Sequence, residues 1–165
     1  MREFDEIRQK SVCITGHRTI EDNIKQDTFD HLDVLIKRGY SIFYVGMAVG
    51  FDTLCFQFLE KLREKNGIKI IACVPCPSQP ERFSYAQKKE YFRMLESADE
   101  KIVLSPTYTP YCMQKRNQYM VDNSSVCIAY KTSEKGGTAY TVKYANKAGL
   151  EVVNLGQFSS QLTFC

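Results

Sequence analysis

The segment Ser41-Ile42-Phe43-Tyr44-Val45-Gly46-Met47-Ala48-Val49-Gly50-Phe51-Asp52 decides the fold. Ser41–Val45 reads as a strand. The run breaks at Gly46. Asp52–Lys65 then continues at helical spacing, with Cys55, Phe58, Leu59 and Leu62 on one side. A strand that passes through a glycine turn directly into a helix is half of a strand–helix–strand unit, and such units build parallel sheets.

The same alternation extends in both directions. Upstream, Lys10–Ile14 predicts a strand, and Lys25–Arg38 predicts a helix with Phe29, Leu32, Leu35 and Ile36 on one face. Downstream, Ile68–Val74, Lys101–Leu104, Ser125–Tyr130 and Glu151–Leu155 read as strands. Tyr85–Ser97, Tyr111–Asn123 and Gly137–Ala148 read as helices between them. The expected fold class is therefore α/β: one three-layer Rossmann-like domain over residues 1–165, with a mostly parallel sheet flanked by helices on both faces and right-handed crossovers. Strand order is left open. Asp22 or Asn23 is expected to cap the helix over Lys25–Arg38, and Asp52 the one that it opens. The proline-rich stretch Cys76–Arg82 is expected to cross the surface.

Composition bounds the function. The chain is 44% hydrophobic and 25% charged, as in a globular protein with a substantial core. No apolar run approaches a membrane span, and Met1–Lys10 is polar and charged, unlike a secretory signal. A cytoplasmic location without a membrane partner is expected. The net charge of +3 is small, and basic residues alternate with acidic ones, as in Lys61–Lys65. That argues against nucleic acid as a partner and fits a small anionic ligand. A homodimer is left open, and no cofactor is named. The seven cysteines are scattered and odd in number, which suits reduced thiols. Cys73-Val74-Pro75-Cys76 has CxxC spacing but ends a strand among prolines, where no helix start activates a thiol. No second pair is spaced for zinc, so these cysteines read as small buried hydrophobes and no metal site is expected.

The chemistry gathers at glycines between strand ends and helix starts. In an open α/β sheet these turns line the carboxyl edge, where ligands bind. A glycine there lets backbone N–H groups approach an anion, and the following helix adds its unpaired N–H groups and dipole. Gly46, Met47, Ala48 and Gly50, with Asp52, are the leading phosphate or ribose cradle. Thr15, Gly16, His17 and Arg18 place a hydroxyl, an imidazole and a guanidinium at a second turn. Arg18 suits bidentate phosphate contact, and His17 suits either acid–base work or donation to a ligand. His31 lies in a polar stretch of helix. Arg116 and Met120 stand one turn apart on the helix that also carries Asn117 and Asp122, and a cation sharing a face with methionine implies burial. Gly136, Gly137 and Thr138 offer flexible backbone and a hydroxyl to a second anionic or sugar group.

Four of these segments resemble the SLOG superfamily, which joins the DNA-processing protein A domain to the LOG-type enzymes, and are most similar to its YpsA-like branch. They are Thr15-Gly16-His17-Arg18, Gly46–Asp52, Arg116–Asp122 and Gly136-Gly137-Thr138, in order across most of the chain. The resemblance implies a Rossmann-like fold that senses or processes nucleotide-derived ligands such as ADP-ribose or NAD derivatives. LOG-type phosphoribohydrolases carry a glutamate after the Gly-Thr pair, where this chain has Tyr140 or Thr141. Neither is a carboxylate able to stabilise an oxocarbenium charge, so ligand binding is the leading expectation. A nucleotide hydrolase or N-glycosidase using His17, Asp52 or Asp122 is the alternative. Single-stranded nucleic-acid binding, supported by Tyr108, Tyr111 and Tyr119 near Arg116, is a further one.

Overall fold

Strict alternation along the central strands sets the layers. In the computed structural model, which describes residues 2–156, the elements are α1 (Arg2–Gln9), β1 (Ser11–Gly16), α2 (Lys25–Lys37), β2 (Ile42–Val45), α3 (Phe51–Arg63), β3 (Lys69–Val74), α4 (Tyr85–Ser97), β4 (Glu100–Val103), α5 (Cys112–Asp122), β5 (Val126–Tyr130), α6 (Gly137–Lys147) and β6 (Glu151–Asn154). Side chains two apart share a sheet face. Val12, Ile14, Phe43, Val45, Ile70, Ala72, Val126 and Ile128 thus point into one core, with Leu32 and Leu35 of α2, Leu54 and Leu59 of α3 and Met94 of α4. The intervening Cys13, Tyr44, Ile71, Cys73, Cys127 and Ala129 point to the other, beneath Met120 of α5 and Val142 of α6. Cys13, Cys73 and Cys127 act there as small hydrophobes and let the helices sit close to the sheet.

The result is the three-layer α/β fold expected, with all strand pairs parallel in the order β4-β3-β2-β1-β5-β6. After β1 the chain steps outward through β2, β3 and β4. It then returns to the other side of β1, where β5 and β6 are laid down. The order in which strands are added therefore reverses between β1 and β5, and the crevice at their carboxyl ends is the topological switch point. Among the described residues, no helix is long and apolar enough to cross a membrane.

One element is added and two local expectations are corrected. Residues 2–9, which the sequence presents only as a charged start, form α1. Neither Asp22 nor Asn23 caps α2; they belong to a 3-10 turn, Asp22–Ile24, that runs into the helix. The stretch after β3 is not simply superficial, since Cys76 and Pro80 are buried.

Candidate functional site

The turn after β2 is packed from every side. Gly50, at φ 88°, is the N-cap of α3, a conformation that only glycine adopts readily. A Cβ on Gly50 would collide with the backbone oxygen of Arg18, and one on Gly46 would stand 2.8 Å from Nη1 of Arg116. Met47 itself has a left-handed φ of 65°. Such backbone in a non-glycine residue persists only where its surroundings hold it. Here the next residue is held at both its N–H and its carbonyl. The Ala48 N–H donates to Oδ2 of Asp52 at 3.1 Å, and the Thr53 hydroxyl donates to the Ala48 carbonyl at 3.1 Å. Asp52 therefore does not cap α3 as expected. It sits one residue inside the helix and reaches back to the turn.

Two donors converge on the Gly46 carbonyl. One is Nη1 of Arg116, and the other is Nε2 of Gln79 at 2.9 Å. Gln79 is steadied by the Tyr91 hydroxyl, which donates to its Oε1 at 3.1 Å. Arg116 is only 5% exposed, as its shared face with Met120 implies, and its Nε donates to Oδ1 of Asn117 at 2.7 Å. Burial lowers the Arg116 pKa, while the charge of Asp52 opposes that shift. Asp52 is equally buried, and one of its oxygens, Oδ1, has no hydrogen-bond partner among the described residues. Desolvation raises its pKa to about 6, against the opposing charge of Arg116 and the Ala48 N–H.

The turns on either side of the switch point are joined directly. The Thr132 N–H donates to Nε2 of His17 at 2.9 Å, so that nitrogen carries the lone pair. Burial also lowers the His17 pKa, which favours the same neutral form. The His17 ring stands edge-on to Tyr130, and Tyr130 stacks on Phe51. Phe51 occupies the space that a Cβ on Gly16 would need, 2.5 Å away. Thr15 is buried at the end of β1, and Arg18 is exposed with no ion-pair partner among the described residues.

The turn before α6 is open. Gly136, at φ 95°, is the N-cap, and Gly137 is the first helical residue. Both are exposed, and a Cβ on either would meet nothing within 4 Å. The first main-chain bond of the helix is Tyr140 N–H to the Gly136 carbonyl. The N–H groups of Gly137, Thr138 and Ala139 thus start the helix without an intrahelical acceptor. A cleft of about 600 Å³ runs from Gly136 along α6 past Lys143 to Lys147, and its lining includes Lys131 and Glu134, which pair at 2.9 Å. A second cleft, about 370 Å³, lies behind the turn after β2 and is walled by Met47, Val49, Phe83, Tyr91 and Met94.

The family model YpsA, described as the YspA SLOG family, matches residues 12–153. The chain belongs to this SLOG family. Among its relatives is the uncharacterized SPbeta prophage-derived protein YoqJ of Bacillus subtilis, 32% identical over 131 residues, 72% of this chain and 77% of that one. Another is the UPF0398 protein BH1768 of Halalkalibacterium halodurans, 25% identical over 136 residues, 80% of this chain and 71% of that one. The SLOG fold is also similar to DNA processing protein A from Streptococcus pneumoniae (TM-score 0.65, 16% identity, 90% of this chain and 50% of that one). The same protein from Helicobacter pylori, whose structure is described in terms of its single-stranded DNA binding mode, gives a TM-score of 0.61 at 16% identity, covering 98% and 83%. At these identities the likeness is one of fold.

Not every expected site residue of this SLOG chain reaches the carboxyl edge. Met120 is buried under the sheet, in the core with Cys13 and Tyr44. Asp122 is the last residue of α5, and the chain just beyond it bonds to the start of β1, through Ser125 N–H to the Ser11 carbonyl. It therefore stands at the opposite edge, where it accepts a hydrogen bond from the Tyr144 hydroxyl at 2.8 Å. Thr15, Gly16, His17, Arg18, Gly46, Met47, Ala48, Gly50, Asp52, Arg116, Asn117, Gly136, Gly137 and Thr138 do gather at or just behind the carboxyl edge. Gln79 and Tyr91 join them, although neither stands out in the sequence. His31 bonds only within α2, to the Asp27 carbonyl at 2.8 Å.

Proposed function

We propose that this SLOG chain binds a phosphate-bearing, nucleotide-derived ligand, of the ADP-ribose or NAD-derivative class, with the phosphate at the start of α6. The observation that carries this reading is the open Gly136-Gly137 turn. Its glycines face space rather than protein, and three N–H groups of the first helical turn lack helical acceptors. Arg18, exposed on the neighbouring turn, supplies a second positive group. The turn after β2 has a different part in this reading. Its glycines are filled by Arg116 and by the Arg18 backbone, so it forms the fixed floor of the site instead of the phosphate cradle expected from its sequence.

The test pairs thermal-shift titration against ADP-ribose, NAD and nucleoside monophosphates with the variant Gly137→Asp. A carboxylate at the first helical position suits the helix dipole and has room, so the fold is kept. It repels a phosphate from the same N–H groups. Stabilisation of the parent by at least one ligand, and a loss of at least tenfold in affinity in the variant, is the expected result. Equal affinity in both proteins removes the phosphate from α6.

A second reading rests on Tyr108 and Tyr111. They are 66% and 67% exposed in the loop that leads into α5, at the same sheet edge. Exposed aromatic faces suit stacking of unpaired bases. The modest net charge, which argued against nucleic acid, does not weigh against so local a surface. Filter binding of a single-stranded oligonucleotide, lost on Tyr108→Ala with Tyr111→Ala and weakened by salt, is the expected outcome under this reading. For the hydrolase alternative, Asp52 is the remaining acid–base group. Asp122 is at the far edge, and Nε2 of His17 is occupied by Thr132.

A further inference from the structure

The sequence pairs Cys73 with Cys76 by spacing, but the fold pairs Cys76 with another residue. Cys73 points into the core beneath α5 and α6. Cys76, beyond the end of β3, lies with its sulfur 3.9 Å from that of Cys112, the first residue of α5. Both are free thiols and both are buried. A disulfide requires the sulfurs to close to about 2.05 Å, a movement of roughly 2 Å. The segments they would join matter more than the thiols themselves. Three residues beyond Cys76 is Gln79, and four residues beyond Cys112 is Arg116. These are the two donors that meet on the Gly46 carbonyl.

We propose that Cys76 and Cys112 form a peroxide-oxidisable pair whose disulfide locks both donors onto the turn after β2. In the first step the thiolate of one cysteine attacks hydrogen peroxide, the O–O bond breaks, and a sulfenic acid and hydroxide result. In the second step the other sulfur attacks the sulfenic sulfur, the S–O bond breaks, and water leaves as the disulfide forms. In total, two thiols and one peroxide give one disulfide and two waters, with two electrons passing from sulfur to oxygen. A small oxidant suits thiols this well covered. Cys13 and Cys127, register partners on β1 and β5 deep in the sheet, provide an internal comparison.

The test is peptide mapping without reductant after peroxide treatment of the full chain, with amide exchange measured in parallel. It needs no ligand and so stands or falls apart from the binding reading. A Cys76–Cys112 linked peptide, lighter by two hydrogens and reversed by dithiothreitol, is expected in the parent and in Cys73→Ala. Amide exchange at residues 77–83 and 46–50 is expected to slow about tenfold in the oxidised form. A Cys73–Cys76 link, or sulfinic and sulfonic products alone, overturns the pairing. A correct link with unchanged exchange at both segments overturns the lock. Cys112→Ala must abolish the linked peptide. Because the decisive mapping is done on the parent, the pairing is decided even where that variant folds poorly.

Discussion

Two glycine turns on the same sheet edge look alike in sequence and are opposites in structure. Gly46–Gly50 is filled: Arg116 and Gln79 hold its first carbonyl, Asp52 and Thr53 hold the Ala48 N–H and carbonyl, and the Arg18 backbone lies where a Gly50 side chain would go. Gly136-Gly137 is empty, with space around both residues. In the first turn glycine permits protein to approach protein. In the second it leaves backbone open to whatever approaches from outside. A glycine-rich turn is thus ambiguous until one knows whether the missing side chain's volume is occupied.

The sharpest way to break this contrast is to empty the filled turn. Arg116→Ala removes a buried cation, takes one of the two donors from the Gly46 carbonyl and leaves the charge on Asp52 without its counterion. Losing one member of such a buried charged set costs about 3–5 kcal/mol, so the urea midpoint is expected to fall steeply. A change under about 1 kcal/mol would mean that the turn holds itself.

The second test uses pH. Asp52 has a folded pKa of about 6, raised from 3.8, so between these values the folded protein holds more protons than the unfolded one. Its contribution to stability is therefore greatest below about pH 4 and declines as pH rises to about 6. The full span is roughly 3 kcal/mol. Asp52→Asn is expected to flatten that part of the stability–pH curve. An unchanged slope would show that Asp52 is not the group titrating.

The smallest effect belongs to the open turn. Gly137 has ordinary backbone and free space, so Gly137→Ala is expected to stabilise the fold by about 0.5–1 kcal/mol through lower unfolded-state entropy and better helix propensity. The same replacement at Gly46 or Gly50 meets atoms at once, and the opposite sign there would complete the contrast.

The strands, the helices after β1 and the parallel sheet are legible in the sequence because they rest on local period and on glycine at element ends, whereas α1 is short and mostly charged and shows no such signal. The burial of Arg116 is legible too, from its spacing to Met120. Strand order is not, because a parallel crossover can land on either side of its starting strand. The contact of Gln79 with Gly46 spans 33 positions and leaves no periodic trace in a proline-rich loop. Asp52 has the side chain of a cap, but the cap position lies two residues earlier and demands φ 88°, which selects Gly50. Asp122 stands away from the site because six residues of helix carry it about 9 Å from Arg116, a distance that a motif written as a string conceals.

The absent side chain of Gly16 has one further effect. Phe51 settles into that space, Tyr130 lies flat on Phe51, and the His17 ring abuts Tyr130 while gripping the Thr132 amide. The firmly braced start of α3 is thereby connected, ring by ring, to the strand that leads into the open turn. His17, Tyr130 and Phe51 thus form one unbroken row of ring contacts that ties the two turns together across the switch point.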